Sequence, residues 1–286
     1  MDLVRRVQMM QEIVREKVGK GRKVAFVPTM GALHDGHLSL VRRARELGDF
    51  VIVSAFVNPT QFGPQEDFES YPRDLARDQD LCIQEGVDYL FAPSREDVYR
   101  PGHHTYVNVE GLSAVLEGAT RPGHFRGVAT IVLKLFNIVR PHFAVFGQKD
   151  AQQVALIKRM VRDLNVPVEL IVEPIVREDD GLALSSRNAH LSPEERKAAT
   201  VLYRALEQGR TLVEEEGSKD AGRVDSAMRE LFAAEPRARL DYVAIVDPDE
   251  FVPRETVEEN TLLAVAAWLG ETRLIDNMLV TPRRVA

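Results

Sequence analysis

The run KVAFV (23–27) passes directly into PTMGALHDGH (28–37). Its valines, alanine and phenylalanine fit a strand buried on both faces. Proline, two glycines and an Asp-Gly step then call for a turn, and HLSLVRRARELG (37–48) carries helical apolar spacing. A strand that leaves a tight turn as a helix points backbone N–H groups outward, and the helix dipole adds positive potential. His34 and His37 stand three apart at the helix start, so they share a face and can donate to phosphate oxygens. Gly31 and Gly36 would let a phosphate approach the backbone. Zinc needs a third ligand, and the neighbouring sequence presents no obvious one.

Working outward, the same alternation repeats. DFVIVSAFV (49–57), DYLFA (88–92), HFAVF (142–146) and VELIV (168–172) read as further buried strands. Helical patterns lie between or beside them in RDLARDQDLCIQEG (73–86), VATIVLKLFNIV (128–139) and DAQQVALIKRMVRDL (150–164). In the last, Val154, Ile157, Val161 and Leu164 form one apolar stripe. Such alternation predicts a Rossmann-like, doubly wound parallel sheet covered by helices on both faces. Ligands in such sheets sit at the carboxyl ends of the strands, where 28–37 and FGQKD (146–150) both fall.

After about Pro174 the pattern changes. REDDGLALSSRNAHLSPEE is polar and turn-rich, and a long helix follows with Ser192 as N-cap, Pro193 at N1 and Glu195 completing a capping box. A second helix is separated from it near Gly217. LDYVAIVD, TLLAVAAWL and TRLIDNMLV then read as strands. The expected division is a catalytic domain over 1–176 and a smaller α+β domain over 177–286, behind a hinge near 177.

Composition bounds the function. The 286 residues are 44% hydrophobic and 28% charged, ordinary for a globular enzyme, with a net charge of −7. A broadly basic nucleic-acid surface is therefore not expected, and an anionic ligand needs cations gathered locally. Cys82 is the sole cysteine, which fits a reducing cytosol and excludes a cysteine-based metal cluster. The basic N-terminal segment carries Asp2, Glu12 and Glu16 and lacks the apolar core of a signal peptide, so a cytoplasmic protein without a membrane span is expected.

Four further segments carry candidate chemistry. Lys149 opens a helix, where the dipole disfavours a cation unless an anion is bound there too. LALSSRN (182–188) offers two hydroxyls and an arginine, and TRPGHFRGV (120–128) adds Arg121, His124 and Arg126. NPTQFGPQEDFESYPRD (58–74) is too long for a simple connection and suits a substrate loop. Taken together, these groups around the strand ends of an acidic protein point to a polyphosphate site.

PTMGALHDGH, NPTQFG, YPRD, RPGHFRGV, FGQKDAQQ and LALSSRN, in this order and spacing, resemble the pantothenate synthetase (pantoate–β-alanine ligase) family over nearly the whole chain. That family belongs to the nucleotidyltransferase superfamily. His34-Asp35-Gly36-His37 is similar to its HIGH signature, and Leu184-Ser185-Ser186-Arg187 to a KMSKS loop in which arginine replaces the second lysine. The resemblance implies an ATP-dependent, AMP-forming condensation of pantoate with β-alanine through pantoyl adenylate. It implies that Met30, Gly31, Ala32, Leu33, His34, Asp35, Gly36 and His37 hold ATP with Gly147, Gln148, Lys149 and Asp150, while Val176, Leu184, Ser185, Ser186 and Arg187 close over it. His34, His37, Lys149 and Arg187 are the implied catalytic set. His37 is the position labelled proton donor in the family; no proton must reach pyrophosphate for the bond to break, which favours an electrostatic role.

Gln61 and Gln153 resemble the amides that bind pantoate, Gln61 also lying near the β-alanine site. Ala151 departs from the aromatic residue of many relatives, a matter of local packing. Mg²⁺ is implied by the ATP chemistry; its ligands are not legible, since Asp78 and Asp80 fit the polar face of a helix equally well. The resemblance also suggests a homodimer. Two other functions compete: an adenylyltransferase that stops at an AMP-bearing product, which would not need Gln61 and Gln153, and a non-catalytic nucleotide-binding module, which would not need His34, His37 and Lys149 together.

Overall fold

The computed structural model describes residues 1–64, 66 and 68–283. Met1–Gly147 and Leu156–Pro174 form one compact unit. Its strands are β1 (Asp2–Val4), β2 (Val24–Thr29), β3 (Phe50–Ala55), β4 (Tyr89–Phe91), β5 (Phe143–Gly147) and β6 (Glu169–Glu173). They lie side by side as β1-β4-β3-β2-β5-β6, every neighbouring pair parallel. The five strands legible in the sequence are all present. β1 is an addition: three residues are too few for a periodic signal, and pairing with Tyr89–Phe91 makes it a strand.

The longer helices are α1 (Val7–Gly19), α2 (Asp35–Leu47), α3 (Leu75–Gln84), α4 (His124–Val139) and α5 (Ala151–Asp163). Leu40, Val41 and Ala44 of α2 and Cys82 of α3 pack on Ala25, Val27, Val51, Val53, Leu90 and Val145. Strand alternation turns Val24, Phe26 and Ile52 to the opposite face, where α4 packs with α1 and β2. The chain winds outward from β2 through β3 and β4 on one side and through β5 and β6 on the other. The switch point of the sheet thus lies between the carboxyl ends of β2 and β5, where doubly wound sheets bind ligands.

Gln148–Ala155 and the chain from Ile175 onward cluster as a second unit. Within it, β7 (Ala238–Val246), β8 (Thr261–Leu269) and β9 (Thr272–Val280) form an antiparallel sheet. Helices α6 (Pro193–Ala198), α7 (Val201–Arg210) and α8 (Ala221–Ala233) belong to the same unit, and Leu202, Leu206, Val224 and Met228 share a core with Ile245, Leu263 and Val265. The Ser192–Glu195 capping box forms as its spacing predicts. The long helix expected from Ser192 is interrupted at Ala199–Thr200, where the Thr200 hydroxyl donates to the Lys197 carbonyl at 2.9 Å and competes with the helical ladder. No helix among the described residues is long and apolar enough to cross a membrane.

Cys82 reports on the helix–sheet packing. It is fully buried, and that burial, with the Asp78 charge nearby, pushes its thiol up to about 12. The native protein should therefore give no thiol reaction with a disulfide reagent at pH 8 over minutes, and one equivalent in denaturant. Rapid native labelling would show that the α3 layer opens readily.

Candidate active site

At the end of β2 the chain turns through Gly31 and Ala32, whose φ angles of 81° and 51° are both left-handed. Thr29 supports the turn: its hydroxyl donates to the Ser54 carbonyl at 2.6 Å and accepts the Gly31 N–H at 3.0 Å. The next two amides go to the buried carboxylate of Asp78, Ala32 at 3.0 Å and Leu33 at 2.8 Å. These amides belong to the turn read from sequence as a phosphate cradle, and they are turned instead to the protein's own anion. A buried carboxylate must find donors, and here burial raises its pKa even against these two bonds. A Cβ on Gly31 would stand 2.8 Å from an Asp78 oxygen, so the glycine serves this contact as well as the turn.

α2 then begins with an unusual cap. His34 is the N-cap residue, and its Nδ1 accepts the Gly36 N–H at 3.2 Å, while Nδ1 of His37 accepts the His34 N–H at 3.4 Å. Their ring centroids are 4.0 Å apart. An Nδ1 that accepts from the backbone leaves the neutral ring's proton on Nε2. The two imidazoles therefore share one tautomer, set by the helix terminus itself.

Gln61 is oriented by a second network. Asn58, buried, donates through Nδ2 to the Gly127 carbonyl at 3.1 Å, and its Oδ1 accepts the Thr60 N–H at 3.4 Å and the Tyr99 hydroxyl at 2.8 Å. Those backbone partners fix the Asn58 amide, which then donates to Oε1 of Gln61 at 3.0 Å. Nε2 of Gln61 is left facing Met30 Sδ at 3.1 Å, beside the glycine turn. The network needs Gly127, because a Cβ there would lie 2.2 Å from the Thr60 carbonyl oxygen. The Gln61 carbonyl is held by Nδ1 of His124 at 2.8 Å, and Nε2 of His124 meets Nη1 of Arg121 at 3.1 Å. A carbonyl only accepts and a guanidinium only donates, so His124 carries its proton on Nδ1. Arg126 is spent elsewhere, its guanidinium 3.8 Å from the Tyr106 ring centroid. Gln65 and Asp67 of the 58–74 segment lie outside the described residues.

The remaining candidates assemble within the second unit, apart from Gly147 at the end of β5. Gln148, Lys149 and Asp150 form a 3₁₀ turn ahead of α5, and Gln153 lies on the first turn of that helix. Nδ2 of Asn277 donates to the Gln148 and Lys149 carbonyls at 3.0 and 2.9 Å. Val176 and Leu184 are brought together, the Leu184 N–H donating to the Val176 carbonyl at 3.0 Å. Next to them Arg177 forms a bidentate pair with buried Asp276 at 2.6 and 3.0 Å. Ser185 caps the turn that carries Ser186 and Arg187, its hydroxyl accepting the Arg187 N–H at 3.3 Å.

Some of these supports were not singled out from sequence for the roles they take. Asp78, read from sequence on the polar face of a helix, is instead buried between Leu75 and Cys82 on its apolar stripe, and Asp276-Asn277 interrupts an apolar strand. Both are legible as buried polar groups once the element is known. Asn58, Tyr99 and Arg177 leave no such signal. Among the described residues no three His, Cys, Asp or Glu side chains group as a metal-binding set.

The parallel sheet, its switch point and the histidine-capped helix define a Rossmann-like α/β enzyme fold, here with a small α+β unit. The chain belongs to the pantoate-β-alanine ligase family, whose model matches residues 2–279. It is 56% identical over 280 residues to the pantothenate synthetase of Heliobacterium modesticaldum, covering 98% of this chain and 99% of that one. The relative from Moorella thermoacetica is 55% identical with the same coverage. The crystal structure of pantothenate synthetase from Thermus thermophilus superposes with a TM-score of 0.94 at 50% identity, covering 99% of this chain and 100% of that one. The Francisella tularensis pantoate-β-alanine ligase, solved with β-γ ATP and β-alanine, gives 0.80 at 36% identity, covering 98% and 97%.

His124 makes the Gln61 network pH-sensitive. Burial and the Arg121 charge push its imidazole from 6.5 down to about 4. Between those values the unfolded chain takes up a proton that the folded chain refuses, so stability is complete above about pH 6.5 and falls as pH drops toward 4. The loss amounts to no more than about 3 kcal/mol. Urea unfolding at pH 7 and 4.5 should show a smaller acid loss in His124→Gln than in wild type. Equal losses would mean that the ring is not held neutral.

Proposed function

We propose that this chain condenses pantoate with β-alanine in two ATP-dependent steps. A pantoate carboxylate oxygen attacks the α-phosphorus of ATP, forming pantoyl adenylate as pyrophosphate leaves. The β-alanine amine then attacks the acyl carbon and loses a proton, giving pantothenate as the acyl carbon–phosphate oxygen bond breaks and AMP leaves with its electrons. Family membership supports this reading, as does the Francisella relative bound to β-γ ATP and β-alanine. The observation that carries it is the orientation of Gln61, whose amide nitrogen is turned toward Met30 beside the histidine-capped turn. An enzyme that stopped at an adenylylated product would have no use for an oriented amide at an acyl-substrate position.

In this reading residues 30–37 and 147–150 hold ATP, with Val176 and 184–187 closing over it. His34 and His37 donate from Nε2 to phosphate oxygens, and Lys149 and Arg187 add positive charge as the transition state develops. The histidines act as fixed dipoles, since their Nδ1 atoms are committed to the cap. Gln61 and Gln153 bind pantoate. Mg²⁺ enters as the counter-ion of the ATP phosphates: Asp78 already accepts two amides, and an ion of this kind suits phosphates and water better than an all-protein cage. ATP and pantoate bind to 1–176 and the closing loop belongs to 177–286, in a cytosolic homodimer.

Oxygen-18 in the pantoate carboxylate should appear in AMP. Label in inorganic phosphate with ADP as co-product would overturn the adenylate route. Arg187 is assigned to the triphosphate, which is gone by the second step. Arg187→Ala should slow adenylate formation about 10²–10³-fold and leave preformed pantoyl adenylate reacting with β-alanine at nearly the wild-type rate. Single-turnover measurement of each half-reaction decides this, and equal slowing of both would remove the assignment.

A further inference from the structure

Residues 184–188 leave a small hairpin and return to it. In the hairpin's turn the Gly181 N–H donates to the Glu178 carbonyl at 2.8 Å, and the Glu178 N–H to the Leu182 carbonyl at 2.9 Å. Arg177 and Ala183 bridge its arms. Two arginines fasten it to the rest of its unit. Arg177 ties it to Asp276 of β9, and Arg196 of α6 binds Asp180 at 2.8 and 3.0 Å and Oε2 of Glu178 at 2.7 Å. The other Glu178 oxygen, Oε1, accepts Nδ2 of Asn188 at 3.3 Å. The same Nδ2 donates to the Ala183 carbonyl at 3.1 Å.

Both partners of Nδ2 only accept, which fixes the sense of the Asn188 amide. Oδ1 is thereby turned the other way, where it is buried with no hydrogen-bond partner among the described residues. A buried amide oxygen left unpaired cancels much of what the Nδ2 bonds contribute to stability. Stability alone therefore gives little reason for an asparagine here. Direction gives a better one, because Ser186–His190 is a single 3₁₀ turn that carries Arg187 and Asn188 together.

We propose that Asn188 is a positioning residue for adenylate formation: its Nδ2, tethered to Ala183 and to the Glu178 that Arg196 holds, sets the direction in which the turn presents Arg187. This rests on the condensation reading above, in which Arg187 meets the triphosphate. The Leu184 N–H on the Val176 carbonyl holds the entry to the loop, and the Asn188 tether holds its exit, on the far side of Arg187. A guanidinium stands several bonds from its backbone, so a small rotation of the turn moves it by an ångström or so. Misplacement on that scale can cost about 10²-fold in rate. Asn188 itself touches no substrate in this scheme and acts only through Arg187.

The test follows both half-reactions in single turnovers: adenylate formation from ATP and pantoate, and the reaction of preformed pantoyl adenylate with β-alanine. The proteins are wild type, Asn188→Ala, Asn188→Asp, Arg187→Ala and the double variant Asn188→Ala, Arg187→Ala. At saturating ATP, Asn188→Ala should slow adenylate formation about 10- to 100-fold and leave the second half-reaction near wild type. Its melting temperature should fall by no more than about 5 °C. Asn188→Asp matches asparagine in size but sets an acceptor against a carboxylate and a carbonyl, so it should be at least as slow. In the Arg187→Ala background the Asn188 change should add less than about twofold, because nothing is left to aim. An Asn188→Ala protein that keeps the wild-type rate, slows both half-reactions equally or fails to fold would overturn the proposal. So would an Asn188→Asp protein at the wild-type rate, or full additivity in the double variant. Wild type that forms no adenylate would remove the condensation reading, and Arg187→Ala with normal adenylate formation would remove the Arg187 assignment; either takes this proposal with it. A slow Arg187→Ala beside an indifferent Asn188→Ala removes the proposal alone.

Discussion

Two hydrogen bonds from the amides of Ala32 and Leu33 to the carboxylate of Asp78 hold the turn from which α2 starts. A left-handed step at Ala32 is disfavoured for a residue with a side chain, so the turn persists only because its surroundings hold it there. Asp78 supplies that restraint from α3, across the layer that Cys82 and the valines of β2 and β3 pack. The carboxylate is expensive to bury and the amides are expensive to leave unpaired, so each makes the other tolerable. Once the turn is set, α2 starts at His34 and both imidazoles take their tautomer from the helix end. The orientation of both rings is thereby defined by backbone groups, which move less than side chains.

The same economy recurs at Gln61. A side-chain amide can point either way, and two backbone groups acting through Asn58 remove that freedom. The close approach of Gly127 to Thr60 lets α4 reach near enough to provide one of them. His124, from the first turn of α4, ties down the Gln61 carbonyl and carries the connection on to Arg121. In the second unit, Asn277 of β9 plays the corresponding part for the backbone at Gln148 and Lys149, and neighbouring Asp276 anchors Arg177. In each case a buried polar residue fixes the position of a neighbouring polar group or backbone segment.

The amino-acid sequence by itself determined the strand–helix alternation, the parallel sheet, the change of pattern after Pro174 and the family to which the chain belongs. These follow from local periodicity, turn chemistry and capping, which act over a few residues. β1 escaped because three residues carry no period, and the break at Ala199–Thr200 because it leaves the apolar spacing on either side unchanged. What only the tertiary structure decided is where the polar groups of those segments point. The Ala32 and Leu33 amides face Asp78, 45 or more positions away in the chain, the Gln61 carbonyl faces His124, and Arg121 faces Glu66. Such pairings depend on which elements the sheet order makes neighbours, and a hydrogen bond formed through that order leaves no periodic trace in the sequence.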